Sequence, residues 1–191
     1  SSPIVGANTN AESTKENVIS EDALCTDVEI GEDCIAKLEN NAVLTINNIN
    51  IHNCHITFTG TGNVVTTERI NIGNDVTITM DKGVTLEAEK GIDVVEEASL
   101  TLDGEGTIIA TGTGIQAGIG SGRKLKSCGT ITINNGNITA IGGSNGSRFI
   151  CVVVGGGGAD ISGGGYHGGR ISINGGNVTA FGGGRNEMIP G

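Results

Sequence analysis

Seven residues in the second half of the chain carry side chains suited to an anionic ligand: Arg123, Lys124, Lys126, Arg148, Tyr166, His167 and Arg170. Cationic donors pair with carboxylates, so this set suits an acidic sugar. The plain alternative is solvated loop charge. In the first half, Asp81 and Asp103 are expected at equivalent places on adjacent strands. Two carboxylates about 5 Å apart repel by roughly 3 kcal/mol at an effective dielectric of 20. A Ca²⁺ ion would relieve that repulsion, and so would splaying both side chains into water. The run His52-Asn53-Cys54-His55 has zinc-ligand types. In a strand, however, His52 and Cys54 share one face and His55 takes the other, whereas a closed zinc site needs four convergent ligands. The four glycines from Gly155 are followed by neither Lys-Ser/Thr nor a helix start, so they read as a loop rather than a phosphate cradle.

The elements that must position these residues repeat. "GTITINNGNITAIGG" from Gly129 returns as "GRISINGGNVTAFGG" from Gly169, and shorter versions begin at His55, Thr77 and Ser99. Each alternates apolar and polar residues, the mark of a strand with one buried face. The inward pairs are Ile56/Phe58, Ile78/Met80, Leu100/Leu102, Ile131/Ile133 and Ile171/Ile173. Outward between them stand Thr57, Thr79, Thr101, Thr132 and Ser172, a ladder that a hydroxyl-ordered, ice-binding surface would use. A second threonine column, carrying Thr85, Thr139 and Thr179, is interrupted by Glu87 and Ile109. Exposed threonine suits a strand without any such role.

Glycines at 62, 83, 106, 136 and 176 mark corners, and "EKGIDVVEEA" from Glu89 supplies a third strand. A period near 22 residues with glycine corners predicts an all-β solenoid: a right-handed parallel β-helix of about seven coils with inserted loops. Residues 1–24 lack the pattern and are expected to cap the first coil as a short polar helix or loop. The β-helix is expected over 25–191, open or truncated at its C-terminal end.

Glycine contributes 34 of 191 residues and aromatics only 2%, so the interior should be narrow and aliphatic. No apolar run approaches a membrane span, which argues against membrane insertion. The charge is divided. Residues 1–105 hold nineteen acids against five bases, and residues 106–191 hold six bases against two acids. Opposed ends of this kind would favour head-to-tail self-association. The cysteine count of five leaves at least one unpaired; Cys25 and Cys34 would bridge a small loop, or all would be buried thiols. Asn137, Asn145 and Asn177 each open an N-x-[ST] sequon.

From Gly114 to Gly184 the sequence resembles the Gly-rich repeats of bacterial and protist surface proteins: the repeated coil above, with "QAGIGSG" at Gln116 and "GADISGG" at Gly158 matching their second element. The resemblance implies a pectate-lyase-like right-handed parallel β-helix and an extracellular or cell-surface domain that binds carbohydrate or serves as an adhesin or spacer. Nucleic acid is not an implied partner. A polysaccharide lyase or hydrolase is the competing class, and a structural filament subunit a third. "YHGGRISI" from Tyr166 is faintly similar to polygalacturonase elements, but Asp160 and Glu187 are the only carboxylates of that half and offer no acid–base pair. The sequence therefore favours a non-enzymatic domain with no catalytic residue, and with Ca²⁺ as the one cofactor to consider.

Overall fold

A computed structural model describes residues 15–114, 116–121, 127–143, 149–150, 154–155, 159–160 and 169–182. Every regular element among them is a strand. The first are β1 (Lys15–Ile19), β2 (Ala23–Ile30), the long β3 (Cys34–Thr66), β4 (Ile70–Met80), β5 (Val84–Ala88) and β6 (Ile92–Val94). β7 (Ser99–Gly104), β8 (Thr107–Thr111), β9 (Ile119–Gly120), β10 (Thr130–Ile133) and β11 (Asn137–Ile141) follow. β12 (Phe149–Ile150), β13 (Val154–Gly155), β14 (Ala159–Asp160), β15 (Ile171–Ile173) and β16 (Asn177–Phe181) complete the set.

Fourteen strands form one curled sheet in which the pairing is parallel; β12 and β14 pair apart from it, antiparallel. The sheet's strands fall into three stacks. One runs through β2, β3, β4, β6, β9 and β13, with Val28 against Ile49, Ile51 against Ile72, and Ile70 against Ile92. The second joins β1 to β3, then β3, β4, β7, β10 and β15, with Ile56 against Ile78, Ile78 against Leu102, and Ile131 against Ile171. The third joins β3, β5, β8, β11 and β16, with Leu86 against Ile108 and Ile138 against Val178. β3 passes through all three because it bends at left-handed asparagines, Asn40, Asn41 and Asn53. Asparagine tolerates that region better than other side-chain-bearing residues.

Side chains alternate in and out, and the inward ones make a narrow core of Ile, Val, Leu and Ala with Phe58 as its aromatic member. Each fully buried aliphatic side chain contributes about 1.5–3 kcal/mol. Cys25, Cys34, Cys54 and Cys128 are buried free thiols. Cys25 pairs with Ile46 and Cys34 with Lys15, in different stacks, so the Cys25–Cys34 bridge is not made.

Two expectations are corrected here. Residues 15–19 and 23–24 are strand rather than helix or loop: β1 pairs with Cys34–Leu38 and β2 begins at Ala23. The polar Asn17 takes an inward place, buried, its Nδ2 donating to the Ile35 carbonyl at 3.2 Å, and that hid the alternation. The threonine ladder is also divided. Thr57 and Thr79 are followed by Asp103, while Thr101 lies against Thr77 and continues to Thr132 and Ser172. In the other column Thr85 lies against Thr107, and Thr139 against Ile109 and Thr179.

The cause is a compensated shift. β4 and β7 pair at an offset of 24, from Asp75 to Ser99, while β5 and β8 pair at 22, from Thr85 to Thr107. Two residues gained at the Val95–Ala98 turn are lost again between β7 and β8. A shift of two keeps every side chain on its own face, so a count of the period does not reveal it.

Candidate ligand-binding groove

Of the seven cationic and aromatic candidates, Arg123, Lys124, Lys126, Arg148, Tyr166 and His167 lie outside the described residues. Arg170 is described: it is exposed just before β15, and its carbonyl accepts the Ile131 amide at 2.8 Å. The calcium candidates do not come together as expected. Asp103 pairs with Thr79 rather than with Asp81, and its Oδ1 accepts the Gly104 amide at 2.7 Å. Asp81 sits at the corner beyond β4, where its amide donates to the Phe58 carbonyl. Among the described residues, no three His, Cys, Asp or Glu side chains group closely enough to hold a metal ion.

A bulge separates His52 from Cys54, which the alternation had placed on one face. The register shifts between His52 and Cys54 because Asn53 is left-handed, so His52 points outward while Cys54 is buried. His52 Nε2 then meets Glu29 Oε1 at 2.9 Å, and His55 Nε2 lies 2.8 Å from the Thr79 hydroxyl. Cys54 Sγ donates to the Ile30 carbonyl at 3.6 Å.

What the structure does assemble is a groove of about 390 Å³ at the corner between the second and third stacks. Its lining is Lys82, Glu105, Asn135, Asn137 and Asn177, with Gly136 and Gly176 between them. Each rung delivers its contribution at the same place. Lys82 follows β4, Glu105 follows β7, Asn135 and Gly136 follow β10, and Gly176 follows β15. Gly136 and Gly176 have φ of 108° and 82°, and a Cβ on Gly176 would lie 2.5 Å from the Gly136 carbonyl oxygen. Only glycine fits that corner. The floor is therefore bare backbone, and the groove runs along the stack between side chains.

One asparagine pair, Asn137 and Asn177, lies in the groove lining, and a second, Asn134 and Asn174, lies outside it on the same two rungs. Asn177 Nδ2 donates to Asn137 Oδ1 at 3.0 Å, and Asn174 Nδ2 donates to Asn134 Oδ1 at 2.9 Å. Similar rung-to-rung bonds link Asn71 to Asn50 and Asn50 to Glu29 on the first stack. Lys82 forms no ion pair among the described residues. Its ammonium and the Glu105 carboxylate balance each other's charge across the groove. Preorganised amides with one cation and one anion suit a ligand rich in hydroxyl groups.

A second polar group lies inside the wall. Arg69 precedes β4 and donates from Nη1 to the carbonyls of Lys90 and Ala117, at 2.8 and 2.9 Å. From Nη2 it donates to those of Ile92 and Gly120, both at 3.1 Å. Burial lowers its pKa to about 10, opposed by the negative charge of Asp93 and by Cys128. This guanidinium ties two successive rungs together from beneath. Its bonds go to backbone, which makes it structural.

Arg69, Lys82, Glu105 and Asn135 were not singled out by residue type, while Asn137 and Asn177 stood out only as sequon asparagines and Gly136 and Gly176 only as corners. The readable signal was positional: Lys82, Glu105 and Asn135 all stand one or two places past a strand, before a corner. Comparison with known protein families, with curated proteins and with solved structures finds no match to the chain.

Proposed function

We propose that the curled sheet is a right-handed parallel β-helix of about seven coils, akin to the Gly-rich repeat surface proteins, and that it acts as a non-enzymatic extracellular or cell-surface domain that binds carbohydrate. The observation that carries this reading is the corner groove, in which amides and one balanced charge pair line a bare backbone floor. Sugars present dense donors and acceptors with little charge, and fixed amides match them without reorganising. Arg123, Lys124, Lys126, Arg148, Tyr166, His167 and Arg170 supply a second, cationic contact for glycans that carry carboxylates.

A glycan array tests the reading, and binding to no glycan class overturns it. Changing Lys124, Lys126 and Arg170 together to Ala weakens binding of acidic glycans while leaving the fold intact. Binding that survives this change, or that EDTA abolishes, moves the acidic contact to the carboxylate-rich half and to a metal bridge.

A second reading, self-association into a filament, is favoured by the last rung. Ile131 and Ile133 are fully buried, whereas Ile171 and Ile173, next in the same columns, are 39% and 55% exposed. Among the described residues β15 and β16 pair on one side only, and β1 and β2 do so at the far end. The far end is acidic, so stacking copies head to tail would bring opposite charges together. Sedimentation that depends on concentration distinguishes this from a monomeric binding domain.

A further inference from the structure

We infer that the corner groove takes a linear, uncharged, hydroxyl-rich oligosaccharide laid along the stack, with its chain crossing successive rungs. The inference rests on the carbohydrate reading above and narrows it to one site and one ligand class.

Shape comes first. The lining residues belong to four successive rungs, entered at Lys82, Glu105, Asn135 and Gly176. Neighbouring parallel strands lie about 4.8 Å apart, so three intervals make a trough roughly 14 Å long. A volume of about 390 Å³ drawn out along that length suits an extended chain better than a compact, branched head group. The two glycines floor the middle of the trough with backbone, and a side chain on Gly176 would clash with the rung below.

Charge comes second. Among the described residues the groove is lined by one cation, Lys82, and one anion, Glu105, whose charges cancel. A polyuronate would gain at Lys82 what it lost at Glu105. A neutral chain uses both, because Lys82 donates to a sugar oxygen while Glu105 accepts from a hydroxyl.

The amides come third. Asn177 donates to Asn137, which fixes the orientation of both head groups. Each amide has further hydrogen-bonding capacity beyond that one bond, and both are exposed. A chain of vicinal hydroxyls meets a row of such groups in which the same amide arrangement returns one rung on. With no aromatic ring among the described lining residues, stacking from them adds nothing. Affinity per sugar is therefore low and accumulates with chain length.

The test is a titration of the full chain, followed by amide chemical shifts, with neutral linear oligosaccharides from one unit to six. Charged oligogalacturonates of matching lengths form the second arm, and both arms are run at low and high salt. The expected result is binding of neutral chains that strengthens with length until the trough is filled. It is insensitive to salt and shifts the signals of Lys82, Glu105, Asn135, Asn137 and Asn177. Lys82→Ala and Asn135→Ala, both exposed, each weaken it about fivefold, the equivalent of one net hydrogen bond.

A preference for charged chains that fades with salt overturns this inference and leaves the carbohydrate reading standing, with the site at the basic residues of the second half. Neutral binding that both variants leave unchanged does the same. Failure of both arms overturns the two together.

Discussion

The guanidinium of Arg69 reaches the carbonyl oxygen of Gly120, 51 residues further along the chain, at 3.1 Å. The same group holds three other carbonyls, so it fastens the rung of β6 to that of β9. Here the regular period of the stack begins to stretch: β4 meets β6 at an offset of 22, but β6 meets β9 at 27.

Arg69→Met keeps the aliphatic stem and removes every donor. The expected loss is about 3 kcal/mol, since four buried carbonyls lose charge-assisted partners. In a chain of this size that lowers the melting temperature by roughly 6–12 °C. Arg69→Lys recovers only part, because an ammonium lacks the planar fork. Urea denaturation of the three proteins measures both effects, and a loss under about 1 kcal/mol in the Met variant refutes the fastening role.

Stability should also fall in alkali through Cys34. Burial pushes this thiol up to about 12, with smaller contributions from Cys54 and Asp33. Between the ordinary value of 9.0 and about 12, the unfolded chain has released this proton and the folded chain still holds it. Stability therefore declines as pH rises through that window, by up to about 1.4 kcal/mol per unit. Arg69 acts with opposite sign above about 10, where the folded chain loses the proton before the unfolded chain does. Urea midpoints on either side of pH 9 should show the decline, and Cys34→Ala should make it shallower.

The inner columns offer a paired comparison. Ile133 and Ile173 are partners in one ladder, yet one is fully buried and the other 55% exposed. Ile133→Ala should cost about 2–5 kcal/mol, and Ile173→Ala under about 1. Ile173→Lys should remove any concentration-dependent sedimentation while leaving the melting temperature nearly unchanged. Equal costs at the two positions would show that the last rung is covered in solution.

Calcium should have little effect on the fold. With Asp103 beside Thr79, the two carboxylates lack the adjacency that made them an attractive pair. Asp81→Asn and Asp103→Asn should each shift stability by under about 0.5 kcal/mol. Melting curves with added Ca²⁺ or with EDTA should superimpose, and a clear calcium-dependent rise would revive the site.

Strand identity was legible in the sequence because alternation is a local signal: Ile56, Phe58, Ile78, Met80, Leu100 and Leu102 are all buried as expected. Which residues are neighbours across rungs was less legible. Register depends on the lengths of turns, and the gain at Val95–Ala98 cancels the loss after β7. β1 was missed because Asn17 faces inward, satisfied by the Ile35 carbonyl, in a place the pattern reserves for an apolar residue. The groove was illegible for a related reason. Lys82, Glu105 and Asn135 are unremarkable in sequence and meet only because each stands at the same corner of a different rung.

The paired strands set a different measure of this molecule from its residue count. Ile131 and Ile171 stack as neighbours across an offset of 40, just as Ile56 and Ile78 do across 22. The height of the stack therefore counts rungs, while the number of residues spent between rungs is free to vary at the corners. Such a scaffold accepts foreign peptide at a corner without disturbing the layers above and below it. Corners whose length already varies, such as the Val95–Ala98 turn, are graft points that present an insert at a height set by its rung.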